Sequence, residues 1–282
     1  MTNATSARQR LVGSSLRRYR ESLGYDLAVA ARILECDISK VSRIETGQRG
    51  IRPKELRELL AEYGAGPSVQ DALAAIARPS GDASWWRDYA HALANAYLDF
   101  LITETAASAI LTYAPVQVPD LLQTPGYARA VISADASVPG DASDAAVSAA
   151  LARQNATMRE RRTGLTAVIG EAALRQQVGS ADVLRDQLRH LAELSADCPQ
   201  VTIHILPFTA GAHAAGSNGG FSVLQFSQVP ALGLVHLPGP AGGTCLDTPD
   251  AVTAYIKTFT SLRLSALNPQ ESARTLRQMT RD

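Results

Sequence analysis

The sequence of 282 residues is poor in cysteine and lacks long hydrophobic runs. Its three cysteines, Cys36, Cys198 and Cys245, are odd in number and widely spaced, so they indicate neither a disulfide framework nor a metal site. No apolar run approaches the roughly 20 residues that a membrane-spanning helix needs. The first residues, "MTNATSARQR", have no apolar stretch behind their charges, so no signal peptide is predicted. These absences favour a cytoplasmic protein without a membrane partner.

Net charge is absent from the chain as a whole but not from its parts. The chain has 27 Lys and Arg against 27 Asp and Glu, and its 46% of apolar residues are typical of a globular protein. Residues 1–54 contain eleven basic and five acidic residues, hence +6, which leaves −6 for the remainder. A basic N-terminal segment favours a polyanion such as nucleic acid as partner, and a solvated basic face is the alternative.

Hydrophobic periodicity predicts five helices in the first 78 residues. Asp26 and Asp37 are placed to cap the second and third helices, 27–34 and 38–46, and Gly47 to end the third. The two helices are separated by about three residues, which is the spacing of a helix-turn-helix. The sequence therefore predicts an all-α helix-turn-helix domain at the N-terminus.

The rest of the chain mixes predicted helices with a few strands. Residues 79–84 read as a linker, and residues 85–282 as an α+β domain with a small mixed sheet. The domain begins with one long predicted helix, "WWRDYAHALANAYLDFLITETAA". Strands are predicted at "LTAVIG", "QVTIHILPF", "FSVLQFSQ" and "ALGLVHLPG", with a short extended piece at "AILTYAPVQVP". The predicted organisation is 1–78, 79–84 and 85–282.

The third helix carries a polar face that suits the edges of base pairs. Val41 and Ile44 lie on the stripe that packs inward, and Arg43 is able to make two hydrogen bonds with a guanine edge in the major groove. The following "QRGIR" segment would turn back along the backbone and neutralise phosphates. The predicted DNA-binding residues are Ser39, Lys40, Ser42, Arg43, Gln48, Arg49 and Arg52.

The stretch "GYDLAVAARILECDISKVSRIETGQRG" resembles the XRE family of helix-turn-helix repressors, which includes the lambda repressor and Cro. The resemblance covers about residues 10–65, and "SRIETG" is its most specific part. It implies double-stranded DNA as partner and a buried ion pair between Arg20 and Glu45, although both could be surface charges. The chain departs from the family at Leu27, where glutamine is usual, and at Glu35, where glycine is usual.

The second domain resembles the C-terminal domain of many actinobacterial XRE regulators, the WhiJ-like group. The matching pieces include "WWRDY", "PVQVPDLLQTPGYARAV", "GEAALRQQVG" and "GGFSVLQF". The resemblance implies a regulator that often acts with a small protein encoded nearby. Asp120 replaces a usual glycine, and Pro238 follows a strand where an acid is common, so contacts to a ligand or partner could differ here.

Candidate site residues of the second domain are polar or aromatic residues within apolar patterns. They would line a ligand or partner site, or else satisfy buried backbone groups and fill the core. His204 and His236 lie on predicted strands and could face each other. With no His-x-x-x-His pair, no G-x-S-x-G and no phosphate loop, no catalytic residue, metal or cofactor is predicted. The candidates are Trp85, Trp86, Gln123, Arg153, Gln154 and Glu171.

Three hypotheses follow in order of preference. The first is a cytoplasmic, sequence-specific transcriptional regulator that binds DNA as a homodimer. Its C-terminal domain would bind a small protein partner or a small-molecule effector. The second is an antitoxin-like protein-interaction module, in which partner binding is primary and DNA binding secondary. The third is a small-molecule enzyme that retains a DNA-binding head.

Overall fold

A computed structural model describes residues 6–78, 85–136, 138, 140–160, 163–226, 232–239 and 242–281. The first range is helical, and the others combine helices with a six-stranded mixed sheet, which confirms the predicted fold class. The predicted linker, 79–84, lies outside the described residues. Within the described part of the chain, no helix is long and apolar enough to cross a membrane.

Five α-helices form the N-terminal region. Asp26 and Asp37 begin the second and third by accepting backbone N–H bonds of 2.9 and 2.7 Å, and prolines open the fourth and fifth in the first turn, where the missing N–H costs nothing. Leucines on the inward-facing sides of these helices are fully buried and form the core of the region. The helices are α1 Ala7–Ser22, α2 Leu27–Ile33, α3 Ile38–Glu45, α4 Pro53–Glu62 and α5 Pro67–Ala77.

The C-terminal region begins with a 3₁₀ segment, Trp85–Ala92, and a π-helical turn, Asn155–Glu160, extends its third α-helix. The helices are α6 Asn95–Glu104, α7 Pro125–Ala134, α8 Ser143–Gln154, α9 Glu171–Arg175, α10 Ala181–Asp197, α11 Pro249–Ser265 and α12 Pro269–Met279. The strands are β1 Ala109–Ala114, β2 Gly164–Gly170, β3 Val201–Leu206, β4 Phe221–Gln225, β5 Gly233–Leu237 and β6 Thr244–Leu246.

The sheet has the strand order β3-β2-β1-β4-β5-β6. The first three strands are parallel, and β4, β5 and β6 add antiparallel to the β1 edge. Strand β2 is buried on both faces, in keeping with its continuous apolar sequence. Helix α11 covers one face through Val252, Phe259 and Leu262, while α10 and α12 pack beside β3.

Two expectations for this region are wrong. The single long helix is divided at Ala94, whose backbone is extended, and the turn at Gly242 packs closely against Tyr97 there. Tertiary packing thus overrides the helical periodicity. His204 and His236 do not face each other, because three strands separate β3 from β5. The short strand β6 was not predicted from the sequence.

The two regions are joined by contacts between α1 and α6. Asp99 of α6 accepts a 2.6 Å hydrogen bond from the Ser6 hydroxyl and another from the Ala7 N–H. A carboxylate from the second region therefore caps α1, where the helix dipole favours negative charge. Nearby, Arg10 lies 3.3 Å from the carboxylate of Asp247.

Candidate nucleic-acid interface

The turn between α2 and α3 holds its shape through one strained residue. Glu35 has a φ of 47°, and among the described residues no other non-glycine residue has a positive φ. This left-handed conformation costs an L-residue about 1–2 kcal/mol. The usual glycine of the resembling family would avoid that cost, so the departure at Glu35 affects stability while leaving the turn intact.

The inner face of α3 packs against α1 at very short range. Val41 and Ile44 are 1% exposed. A Cβ at Gly13 of α1 would lie 2.2 Å from the Ile44 carbonyl oxygen, so the helices approach this closely only because position 13 is glycine. The orientation of α3 is therefore determined by that of α1.

Arg20 and Glu45, the predicted ion pair, come together beneath this packing. The Arg20 Nε and Nη2 donate to the two Glu45 oxygens at 2.7 and 2.8 Å, and Nη1 donates to the Tyr25 carbonyl at 2.6 Å. Both side chains are less than 10% exposed. The hydrogen bonds that Arg20 donates to Glu45 raise the pKa of Arg20 above its ordinary value despite burial. The pair links α1, the start of α2 and the end of α3.

The outer face of α3 is open to solvent. Ser39 and Arg43 are exposed and Ser42 is half-buried. Arg43 Nε donates to the Ser39 carbonyl at 3.2 Å, which holds the side chain along the helix. Hydrogen bonds from Ser39 lower the pKa of the capping Asp37 below its ordinary value, so this acid is charged at neutral pH and favourably placed at the helix N-terminus.

Lys40 differs from its neighbours because its ammonium is already paired. Nζ lies 2.6 Å from Glu55 of α4, and the second Glu55 oxygen accepts a 3.2 Å bond from the Arg52 N–H. Both ion-pair side chains are 20% exposed or less. Lys40 therefore ties α3 to α4, a role that sequence reasoning had not assigned to it.

The residues after α3 form an exposed basic edge. Gln48, Arg49 and Arg52 are all exposed. Gly47 has a φ of 72° and turns the chain, and the Arg49 N–H then donates to the Arg43 carbonyl at 3.0 Å. This edge adjoins the Ser39–Arg43 face, so the chain places candidate base-reading and phosphate-binding groups on one surface.

Three of the candidates in the second region, Gln123, Arg153 and Gln154, are linked by a hydrogen-bond network around the buried Arg153. Arg153 donates to both oxygens of Glu104 at 2.8 and 2.7 Å, and to the Tyr97 hydroxyl at 2.8 Å and Asp120 at 3.1 Å. We call these four residues the Arg153 cluster. Gln154 joins it by donating to the Asp120 and Gln123 carbonyls at 2.6 and 2.9 Å.

The remaining candidates lie elsewhere. Glu171 accepts a hydrogen bond from the Phe208 N–H at 2.8 Å and pairs with Arg175, and both interactions lower its pKa. Its role in the structure is therefore to satisfy a nearby backbone N–H. Trp85 and Trp86 contact each other edge to face, with ring centroids 6.1 Å apart, in the 3₁₀ segment packed on α8. Among the described residues, no group of three or more His, Cys, Asp or Glu side chains is arranged to hold a metal.

Sequence reasoning missed the partners of Arg153. Glu104 lies 49 residues before Arg153, and Tyr97 lies 56 residues before it. Asp120 had been noted solely as a departure from a family pattern. A buried arginine requires a carboxylate partner, so Arg153 within an apolar pattern was a signal for such a partner, but it did not identify Glu104.

Comparison with known families agrees with the two regions. Residues 11–73 match the family described as a helix-turn-helix domain. Residues 97–278 match the family described as a domain of unknown function, DUF5753. No curated protein and no solved structure matches the chain. Since the second match spans more than half of its length, the chain belongs to the DUF5753 family, and it carries an N-terminal helix-turn-helix domain that indicates a DNA-binding regulator.

Proposed function

We propose that this protein is a sequence-specific transcriptional regulator of the XRE type that places α3 in the major groove of double-stranded DNA. The observation that carries the proposal is the exposed Ser39–Arg43 face, held by the buried pair of Arg20 and Glu45. A helix is about 10–12 Å across, which fits the major groove. Rigid support of an exposed polar face is what base reading requires.

The proposed roles divide between reading and positioning. Arg43, Ser39 and Ser42 contact base edges, with Arg43 bidentate to guanine. Gln48, Arg49 and Arg52 contact phosphates and fix the register of the protein on the duplex. Lys40 supports the surface through Glu55, since its charge is already neutralised there.

The proposed assembly is a cytoplasmic homodimer on a roughly palindromic site. Two copies of α3 would then enter successive major grooves about 34 Å apart. The C-terminal region would dimerise and receive an effector or a small protein partner, as the resemblance to the WhiJ-like group suggests. No reaction is part of this proposal.

The test compares two arginine substitutions on a panel of DNA sequences. Sites are first selected from random DNA with the wild-type protein. Arg43→Ala should lose affinity for selected sites and relax the preference for one base pair. Arg49→Ala should weaken all sequences alike and reduce the slope of log K against log salt by about one.

Arg274→Ala provides the matched control, because Arg274 is an exposed arginine on α12, distant in sequence from the proposed surface. It removes the same charge and should leave both the preference and the salt slope unchanged. An equal, uniform loss for Arg43→Ala and Arg49→Ala on every sequence would contradict the division of roles. Absence of any DNA preference in the wild-type protein would overturn the proposed function.

A further inference from the structure

A cavity of about 560 Å³ opens beside the Arg153 cluster in the C-terminal region. Its walls come from α6, β1, α7, α8 and the segments around Gln117 and Gly242. Most lining side chains are apolar, among them Phe100, Leu101, Val131, Ile132 and Leu165. This volume lies within the roughly 300–1,000 Å³ of small-molecule sites, which typically combine apolar walls with a few placed polar groups.

The charged side chains that line the cavity are Arg153, Asp120 and Asp135, and Glu104 pairs with Arg153. Arg153 is the cation, and Glu104 satisfies it by two hydrogen bonds. Asp120 is a second carboxylate on the same guanidinium, at 3.1 Å, and its side chain is 56% exposed. Burial alone would lower the pKa of Arg153, but Glu104, Tyr97 and Asp120 raise it well above its ordinary value, so the arginine stays charged. The Arg153 cluster therefore carries one excess negative charge.

Another polar group in the wall is His236, a neutral histidine. Burial lowers the pKa of His236, and its Nε2 donates to the Gly242 carbonyl at 3.1 Å. The ring stacks on Phe100 with centroids 4.1 Å apart and planes 16° apart. Because His236 is neutral, it does not compensate the excess negative charge of the Arg153 cluster. An organic anion would have to displace Asp120, whereas an organic cation would meet a half-exposed carboxylate and aromatic faces.

Helix α6 connects this cavity to the helix-turn-helix region. Tyr97, Phe100 and Leu101 line the cavity, at the spacing that places them on one side of a helix. Asp99 is not among the lining residues and caps α1 instead. Helix α1 in turn packs on α3 at Gly13, so any shift of α6 acts on the helix that orients the candidate DNA-reading face.

We propose that this cavity binds a small organic cation with an apolar body, and that α6 and Asp99 transmit its occupancy to α1 and α3. The site itself is independent of DNA, whereas its regulatory consequence rests on the proposed function. Coupling of this kind changes the affinity for a second ligand by about 5–150-fold.

The binding test uses three probes with the same indole body and different charge: tryptamine, tryptophol and indole-3-propionate. Calorimetry with the full chain, without DNA, should show tryptamine binding tightest and indole-3-propionate weakest. Asp120→Asn should reduce the affinity for tryptamine by about tenfold, to the level of tryptophol. Asp186→Asn, which removes an exposed carboxylate on α10, should leave all three affinities unchanged.

Preferential binding of indole-3-propionate, or binding by none of the probes, would overturn the cation site. An unchanged tryptamine affinity in Asp120→Asn would do the same. The wild-type protein should also show altered hydrogen exchange in α1 when tryptamine binds. Asp99→Ala should retain tryptamine binding and lose this change.

The last measurement adds a DNA site selected as described above. Tryptamine should change the affinity of the wild-type protein for it by at least fivefold, and by less than about twofold in Asp99→Ala. Equal changes in both proteins would refute the path through Asp99. A protein that binds tryptamine with the predicted charge preference but binds no DNA would instead refute the proposed function alone.

Discussion

Replacement of Glu45 by alanine should destabilise the helix-turn-helix region severely. The change removes both charge-assisted hydrogen bonds to Arg20, at 2.7 and 2.8 Å. It leaves a guanidinium that is only 8% exposed, with the Tyr25 carbonyl at 2.6 Å and the exposed Glu21 carboxylate at 3.5 Å as its remaining partners. Breaking a buried ion pair in this way costs about 3–5 kcal/mol. Since whole domains are stable by about 5–15 kcal/mol, this is a large part of the total.

Native-state hydrogen exchange of α3 amides measures this loss where it occurs. A cost of about 3–5 kcal/mol should accelerate exchange in α3 by about two to four orders of magnitude. Glu21→Ala provides the control, because Glu21 also lies 3.5 Å from Arg20 but its side chain is 49% exposed. Its exchange rates should stay close to those of the wild-type protein, because exposed ion pairs contribute little.

The double variant Arg20→Met with Glu45→Leu separates buried charge from lost packing. It removes both charges together and should recover most of the stability that Glu45→Ala loses. An acceleration of less than about tenfold in Glu45→Ala, or a double variant as unstable as the single one, would refute the view that the buried pair locks α1 to α3.

Three further predictions follow from the same structure. Gly13→Ala should force α1 and α3 apart and lower the free energy of unfolding, measured in urea, by about 1–3 kcal/mol. Gly66→Ala is the control and should be tolerated, because no neighbouring atom lies within 4 Å of its added Cβ. Equal effects of the two changes would contradict the close approach of α1 and α3. Glu35→Gly should raise the free energy of unfolding by about 1 kcal/mol by relieving the positive φ, and a loss would contradict the strain. Burial lowers the pKa of His236 and His204, so each binds fewer protons in the folded state than in the unfolded state. The free energy of unfolding should therefore fall as the pH drops below about 6.5. A urea midpoint that rises when the pH is lowered from about 7.5 to about 5.5 would contradict this.

Local signals in the sequence were sufficient for the helix-turn-helix. Asp26 and Asp37 each cap a helix by accepting a hydrogen bond from an N–H two or three residues further on, and Gly47 turns the chain at its own position. These effects can be predicted without knowledge of tertiary contacts. The ion pair of Arg20 and Glu45 was anticipated only through a family resemblance, because the two residues lie 25 positions apart.

The features of the second region that matter most depend on contacts distant in sequence. Arg153 and Glu104 are 49 residues apart, and Asp99 reaches α1 across 92 residues, so no periodicity reports either contact. The break at Ala94 likewise follows from packing against the turn at Gly242 rather than from residue preference. The cavity exists only once α6, α7, α8 and β1 have assembled.

The proposed contact between Arg43 and a guanine edge is tested most directly by combining a protein change with a base change. In a site selected by the wild-type protein, each guanine is replaced in turn by 7-deazaguanine, which lacks the N7 acceptor. Affinities are then measured for the wild-type protein and for Arg43→Ala. At one guanine per half-site, the two changes should be coupled by about 1–3 kcal/mol, because either one removes the same hydrogen bond. Strict additivity at every guanine would show that Arg43 reads no guanine N7 and would contradict its proposed role as the principal base-reading residue of α3.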